Sequence, residues 1–298
     1  MSTQAAAYFL NVFWAVLAGI CLTFQAGIRY GYAGENVPAT DLTRSQLVKQ
    51  ANAPLSTIMQ IRLSDTPITK FDHTNGQGNI LAVDVTMPLP AHRILPIRHL
   101  TRLTIPACVT NQNGQSEFGD LSFIDLSLIQ EKKHFLWGVG PVLVMPTASW
   151  RTAGQGKWQI GPAGGFAVNT DRLLAGVLVQ NPMSVGGDPS RPRTNQMILQ
   201  PFVVCQLGRG WFVRTQPPLY FDWERNNRIY PINFGVGSTF KIGPQLINWY
   251  VQPYWNITTG KSPAPQNGLT VGITFLYPHF WDRVSSLWKK DRPVPDAR

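Results

Sequence analysis

Between Ala53 and Tyr277 the chain runs through about a dozen segments in which apolar and polar residues alternate, the period-2 pattern of strands with two unlike faces. Leu55, Thr57, Met59, Ile61 and Leu63 share one face, opposite Ser56, Gln60 and Arg62. Leu81, Val83, Val85, Met87 and Leu89 oppose Ala82, Asp84 and Thr86, and Leu103, Ile105, Ala107 and Val109 oppose Arg102 and Thr104. Across 118–129 the apolar face changes after Phe123, which predicts a β-bulge there. The alternation resumes at Phe135, Trp137, Val139, Leu143 and Met145, then at Trp158, Ile160, Phe166 and Val168 against Lys157, Gln159, Gly161 and Gly165. Segments at 172–181, 195–206, 211–215, 229–238, 248–256 and 269–277 complete the series.

The gaps add a second rhythm. Those at 169–171 and 207–210 are tight, whereas 182–194 and 216–228 are long and rich in charge and proline. Short turns on one rim and long loops on the other are the mark of an antiparallel transmembrane β-barrel. The predicted fold class is therefore all-β, a barrel of about 12 strands over residues 53–277. A water-soluble β-core is the structural alternative, and it would bury the aromatic residues. Before the barrel, residues 40–51 carry a helical pattern, with Thr40 or Asp41 as cap and Leu42, Leu47 and Val48 as a partial stripe. The segment 34–52 is thus expected to hold a short helix, either as a plug in the lumen or on the periplasmic rim.

Composition narrows the picture. Charged residues make up 14% of the 298 residues, below the roughly 25% of soluble domains, yet mean hydropathy is −0.08. Low charge without high hydropathy excludes a bundle of transmembrane helices and fits strands that are apolar at every second place. The long apolar stretch at 5–28 suits an export signal over residues 1–33 or a single membrane anchor, and the barrel favours the signal. Cys108 and Cys205 are far apart and read as small apolar strand residues. Rings at strand ends, including Trp137, Trp150, Trp158, Trp211, Trp223, Tyr230, Trp249, Tyr250, Tyr254 and Trp255, predict interfacial girdles. A formal net charge of +10 points to anionic surroundings: lipopolysaccharide, lipid headgroups or anionic solutes. Nucleic acid is disfavoured, since no basic run, zinc spacing or helix-turn-helix pattern is present.

No catalytic, cofactor or metal constellation emerges. His73, His92, His99, His134 and His279 fall mostly in turns or at termini, none paired at metal spacing. Residues 154–157 (Gly-Gln-Gly-Lys) lack the spacing of a phosphate loop and read as a turn. An outer-membrane phospholipase would need a serine beside a histidine on the lipid-facing wall. His99 opens a strand, but no serine is adjacent in sequence. Arg62, Asp84, Arg102, Lys157, Gln159 and Arg214 lie opposite the apolar stripe. A charge facing lipid costs about 2–4 kcal/mol near the bilayer centre, so these six are expected to line the lumen.

Residues 270–277 (Thr-Val-Gly-Ile-Thr-Phe-Leu-Tyr) resemble the terminal signal read by the outer-membrane assembly machinery. Thr270, Gly272, Phe275 and Tyr277 carry the resemblance. The tail 278–298 departs from it and is expected to be a periplasmic extension. Further motifs extend the likeness: Leu-Val-Lys-Gln-Ala-Asn-Ala-Pro at 47–54, Arg-Leu-Thr-Ile-Pro at 102–106, Phe-Gly-Asp at 118–120 and Trp-Gly-Val-Gly-Pro-Val-Leu-Val-Met-Pro-Thr at 137–147. Gly-Lys-Trp-Gln-Ile-Gly-Pro-Ala at 156–163, Gln-Pro-Phe at 200–202 and Tyr-Pro at 230–231 continue it. With these the chain resembles a family of outer-membrane barrel transporters, some termed neuromedin-U-like, related to barrels of the meta-pathway of phenol degradation. The resemblance implies a bacterial outer-membrane location and a transport role; no cofactor is expected. The expected function is passive passage of a small solute, aromatic, amphipathic or anionic. The rival is a closed structural or adhesion barrel whose lumen is blocked by Arg/Asp pairs.

Overall fold

A computed structural model of the protein describes residues 44–281 and 284, apart from 55, 72–75, 92–95, 112, 133, 150, 258–264 and 282–283. The expected signal segment, Thr40, Asp41, His73, His92, Trp150 and most of the C-terminal tail lie outside the described residues. The first half of the sheet comprises β1 (Met59–Phe71), β2 (Gly78–Leu89), β3 (His99–Thr110), β4 (Ser116–Glu117), β5 (Leu121–Lys132), β6 (Phe135–Met145) and β7 (Lys157–Asn169). It continues with β8 (Leu173–Gln180), β9 (Met183–Gly187), β10 (Gln196–Gly208), β11 (Trp211–Thr215) and β12 (Leu219–Asp222). The last part is β13 (Asn227–Ile229), β14 (Pro231–Asn233), β15 (Gly235–Ile242), β16 (Gln245–Asn256) and β17 (Pro265–Tyr277). Because β4, β9, β12, β13 and β14 are outer continuations of longer strands, the antiparallel ladder counts twelve staves. It closes where β17 pairs β1, from Met59↔Tyr277 to Phe71↔Pro265. Closure joins the first and last long strands, the condition for a sheet in lipid.

The burial pattern is inverted relative to a soluble protein. Gln60, Thr86, Thr239, Asn248 and Thr274 are at most 1% exposed, while Trp158, Ile160, Phe166, Val203 and Trp211 are 40–47% exposed. Polar side chains occupy much of the interior while large apolar ones cover the outer wall, which disposes of the soluble β-core. One rim has tight connections: Gly208-Arg209-Gly210 turns with all three residues at positive φ, a conformation that glycine adopts without strain. The opposite rim carries the long loops. Trp158, Trp211, Trp223 and Trp255 face outward and are exposed. Tyr250 does not join them: it points inward and is 4% exposed, contrary to the girdle assignment.

Two strand readings are corrected by the register. The shift in the β2–β3 pairing puts Cys108 opposite Leu81 but Pro106 opposite Ala82. The extra residue, Ala107, swaps faces beyond it, so Val109 pairs with inward-facing Ile80, away from the face of Leu103 and Ile105. In β5 the ladder is regular after Phe123, and the irregularity falls between Leu128 and Gln130. Ile124, Leu126 and Leu128 are buried because they face an apolar interior; no bulge was needed to turn them.

Helix α1 (Arg44–Asn52) covers the described part of the predicted helical segment. Its helix-forming run Gln-Leu-Val-Lys-Gln-Ala ends where Asn52 Nδ2 bonds Val48 O at 2.8 Å and Pro54 cannot continue the ladder. The helix lies inside the barrel: Val48 packs with Leu174, Phe202, Phe212 and Tyr250, and Ala51 packs with Ile58 and Leu276. Among the described residues, no helix is long and apolar enough to cross a membrane.

Candidate functional site: the two-sided lumen

The inward row differs around the barrel. On β5–β8 and β10 it is largely apolar, with Ile124, Leu126, Val142, Ala163 and Leu178 in one cluster and Leu174, Phe202 and Val204 in the next. On β15–β17 and β1–β3 it is largely polar: Thr239, Asn248, Gln252, Thr274, Gln60, Arg62, Asp84, Thr86 and Arg102. Strand β11 joins the two, offering Phe212 to the apolar cluster and Arg214 to the polar side. Inward glycines make room for the joining rings. A Cβ at Gly237 would stand 2.6 Å from Phe212 Cζ, and one at Gly272 would strike the Tyr250 ring.

The polar side grips the segment that follows α1. Arg62 Nη2 donates to Ala51 O at 3.1 Å and Ala53 O at 3.5 Å, and its Nε to Thr274 Oγ1 at 3.4 Å. Arg102 Nη1 donates to Pro54 O at 3.0 Å. Arg214 Nη1 donates to Asn52 Oδ1 at 3.0 Å and its Nη2 to Gln216 Oε1, while its guanidinium carbon sits 4.2 Å from the centre of the Tyr250 ring. A second set holds the helix start: Lys49 Nζ donates to Thr170 O, Gln206 Nε2 to Ser45 O, and Ser45 Oγ to Asp171 O at 2.9 Å. Free carbonyls at a helix C-terminus attract cations, and three guanidiniums supply them here.

All six lumen candidates from sequence fall on the inward row, but they do not form one group. Arg62, Arg102 and Arg214 converge on residues 51–54. Asp84 accepts Thr104 Oγ1 at 2.6 Å and makes no ion pair within 4.0 Å of Arg62 or Arg102. The Arg/Asp blockade expected of a closed barrel is thus replaced by arginine–carbonyl contacts. Lys157 and Gln159 stand apart at the outer end of β7, opposite Gly187 and Ser184 of β9. On β17, Thr270 faces the lumen and bonds Thr66 Oγ1 at 3.1 Å, whereas Phe275 and Tyr277 face outward beside Ile61 and Met59.

The outer loops are tied by Asp120, whose Oδ1 accepts Ala148 N at 3.0 Å and whose Oδ2 accepts Gln155 N at 2.6 Å. Burial pushes its carboxyl above the ordinary carboxylate range, against those N–H donors and the charge of Arg191. Arg191 also ties the same loop, donating to Arg151 O at 2.7 Å and Gly154 O at 3.1 Å.

One cluster escaped the sequence reading. On the outward row, His99 Nδ1 lies 2.9 Å from Asp125 Oδ1 and 3.5 Å from Ser127 Oγ. The register pairs His99 with Ser127 and Thr101 with Asp125. The signal was Asp125 and Ser127 sharing the parity of outward Phe123, which the assigned bulge concealed. A hydrolytic relay needs the acid on one ring nitrogen and the serine on the other. Here both lie nearest the same ring nitrogen, Nδ1. Among the described residues no His/Cys/Asp/Glu group is placed to hold a metal ion.

No protein-family profile and no characterised protein sequence matches the chain. Solved structures do. An outer-membrane channel from Pseudomonas putida F1 aligns at 9% identity over 75% of this chain and 97% of its own, with a TM-score of 0.54. The NanC porin aligns at 10% identity over 74% and 98%, with a TM-score of 0.49. Outer membrane phospholipase A from Escherichia coli aligns at 12% identity over 79% and 99%, with a TM-score of 0.41. With the apolar exterior and the closed twelve-stave ladder, the fold is that of a bacterial outer-membrane β-barrel.

Proposed function

We propose that this barrel is a passive channel for a small solute and not an enzyme, of the neuromedin-U-like type that its motifs resemble. The observation that carries the reading is the lumen itself. It is lined by Arg62, Arg102 and Arg214 on one side and apolar residues on the other, and residues 44–54 fill it through hydrogen bonds with no covalent tie. The neighbour with the TM-score of 0.54 is itself described as a channel. Basic residues along a polar path favour anions. In the His99–Asp125–Ser127 cluster the acid and the serine lie nearest the same ring nitrogen, which does not favour a hydrolytic relay. Outward apolar positions meet lipid and lipopolysaccharide, and Thr270, Gly272, Phe275 and Tyr277 serve the assembly machinery.

Single-channel recording of purified protein in planar bilayers tests the reading. Discrete conductance with anion preference is expected, and the Arg62→Gln/Arg102→Gln double variant should move the reversal potential toward cations. A folded, heat-modifiable barrel that stays silent overturns the channel and leaves the closed structural barrel.

A further inference from the structure

The three lumenal arginines are under-neutralised. A guanidinium keeps its charge in any protein setting, and Arg62 and Arg214 are only 7% and 5% exposed. Among the described residues none of the three has a carboxylate within 4.0 Å. Their acceptors are backbone carbonyls, two side-chain amides and a hydroxyl. Arg102 Nε and Arg214 Nε are buried with no hydrogen-bond partner at all. Two guanidiniums, each a fork suited to a carboxylate, therefore have an idle N–H.

An apolar pocket adjoins them. Leu100, Leu126, Leu128, Leu174, Leu178 and Phe202 form its walls, and Ala53 and Pro54 close it on the lumen side. Pro54 is the residue whose carbonyl Arg102 holds. Leu100 and Arg102 are successive inward residues of one strand, so acid site and pocket lie roughly 7 Å apart. The cavity measures about 60 Å³, far below the roughly 300 Å³ or more of a site that encloses an organic ligand. It gains that room if Ala53, Pro54 and Thr57, which line it, move aside.

We propose that Arg62, Arg102 and Arg214 bind the acid group of an amphipathic carboxylate whose apolar body enters this pocket, and that the anion releases residues 51–54. A carboxylate offers charge-assisted, two-pronged bonds that single neutral carbonyls cannot match. Entry of the apolar body wedges out Ala53 and Pro54, the same residues the arginines must surrender. The two halves of the ligand therefore act on one segment. This deepens the channel reading, on which it rests for its biological purpose: the cargo class would loosen its own obstruction.

Hydrogen exchange on the full chain in neutral detergent tests the idea with hexanoate, hexan-1-ol and acetate as probes. Hexanoate should speed exchange of amides in 44–58 by roughly tenfold or more, with β16 and β17 unchanged. Hexanol, which lacks the charge, and acetate, which lacks the apolar body, should leave 44–58 protected. In the Arg102→Gln/Arg214→Gln variant, checked for heat-modifiable folding, hexanoate should lose its effect. Equal action by hexanol, or unchanged exchange with hexanoate, overturns the proposal, and the wild-type comparison decides it even if the variant fails to fold. A chain that conducts but ignores hexanoate fails only this inference. One that answers hexanoate yet stays silent in bilayers fails only the channel reading.

Discussion

The two halves of the lumenal wall solve the same problem with opposite chemistry. Both must fill the inside of a closed sheet. The wall from β5 to β10 does so with interdigitated Ile124, Leu126, Val142, Leu178 and Phe202, as a soluble core would. The wall running through β15–β17 and β1–β3 does so with Asn248, Thr239, Thr274, Arg62 and Arg102, held by hydrogen bonds such as Asn248 Nδ2 to Thr239 Oγ1 at 2.8 Å. An apolar wall needs only fit, whereas a polar wall needs every group answered. The second condition is met only in part, by borrowing acceptors from the internal segment, and Arg102 Nε and Arg214 Nε go without a partner. On the other wall the segment packs on apolar side chains and is hydrogen-bonded at the rim, to Thr170, Asp171 and Gln206.

The same chemical change should therefore have opposite consequences on the two walls. Leu178→Asp places an unpaired carboxylate among Ile124, Leu126, Val142 and Ala163 and should lower unfolding free energy by more than about 3 kcal/mol, read from urea titration in lipid vesicles. Thr274→Asp, next to Arg62 Nε, should cost well under half as much because a counter-charge is waiting. Similar losses at both positions would abolish the distinction. Cavity formation offers a second contrast. Phe202→Ala should cost about 3–5 kcal/mol, while Asn248→Ala, which removes one bond to Thr239, should cost about 1–2 kcal/mol.

The junction between the walls gives a smaller effect. Arg214→Lys keeps the charge but loses the planar fork on Asn52 and Gln216 and the stacking on Tyr250, for about 1–2 kcal/mol. Its sharper readout is exchange in 44–54, which should rise while the strands stay protected. The smallest change lies outside both walls. Since the Asp120 pKa is raised in the folded state, its contribution to stability is fully present below the ordinary carboxylate pKa of about 4. It is lost as pH rises through the raised value. Amide protection in 146–156 should fall across that acidic window in the wild type and stay flat in Asp120→Asn. An identical profile in both would remove Asp120 as the titrating tie.

Much of the barrel was legible along the chain. Alternation located the strands because a pleated strand must show its two faces to two different media, and the tight turns at 169–171 and 207–210 followed from Gly, Asn and Asp placement. Where the reading failed, the two media were alike. Ile124, Leu126 and Leu128 looked like a bulge only because apolar was equated with outward. Tyr250 was placed in a girdle because a ring at a strand end has no mark of direction. Val109 was misassigned because one extra residue, Ala107, reversed parity without any change in composition.

Strand number, membrane-type patterning and the charged positions opposite the apolar stripe were determined by the sequence alone, since each depends on neighbours one or two residues away. The convergence of Arg62, Arg102 and Arg214 on residues 51–54 was decided only by tertiary structure. So were the apolar pocket beside them and the meeting of His99 with Asp125 and Ser127 on the outer wall. Closure of β17 on β1 and the shear of the ladder bring together residues from distant strands. Local periodicity says which face a residue takes; barrel closure and register decide which residues it meets there.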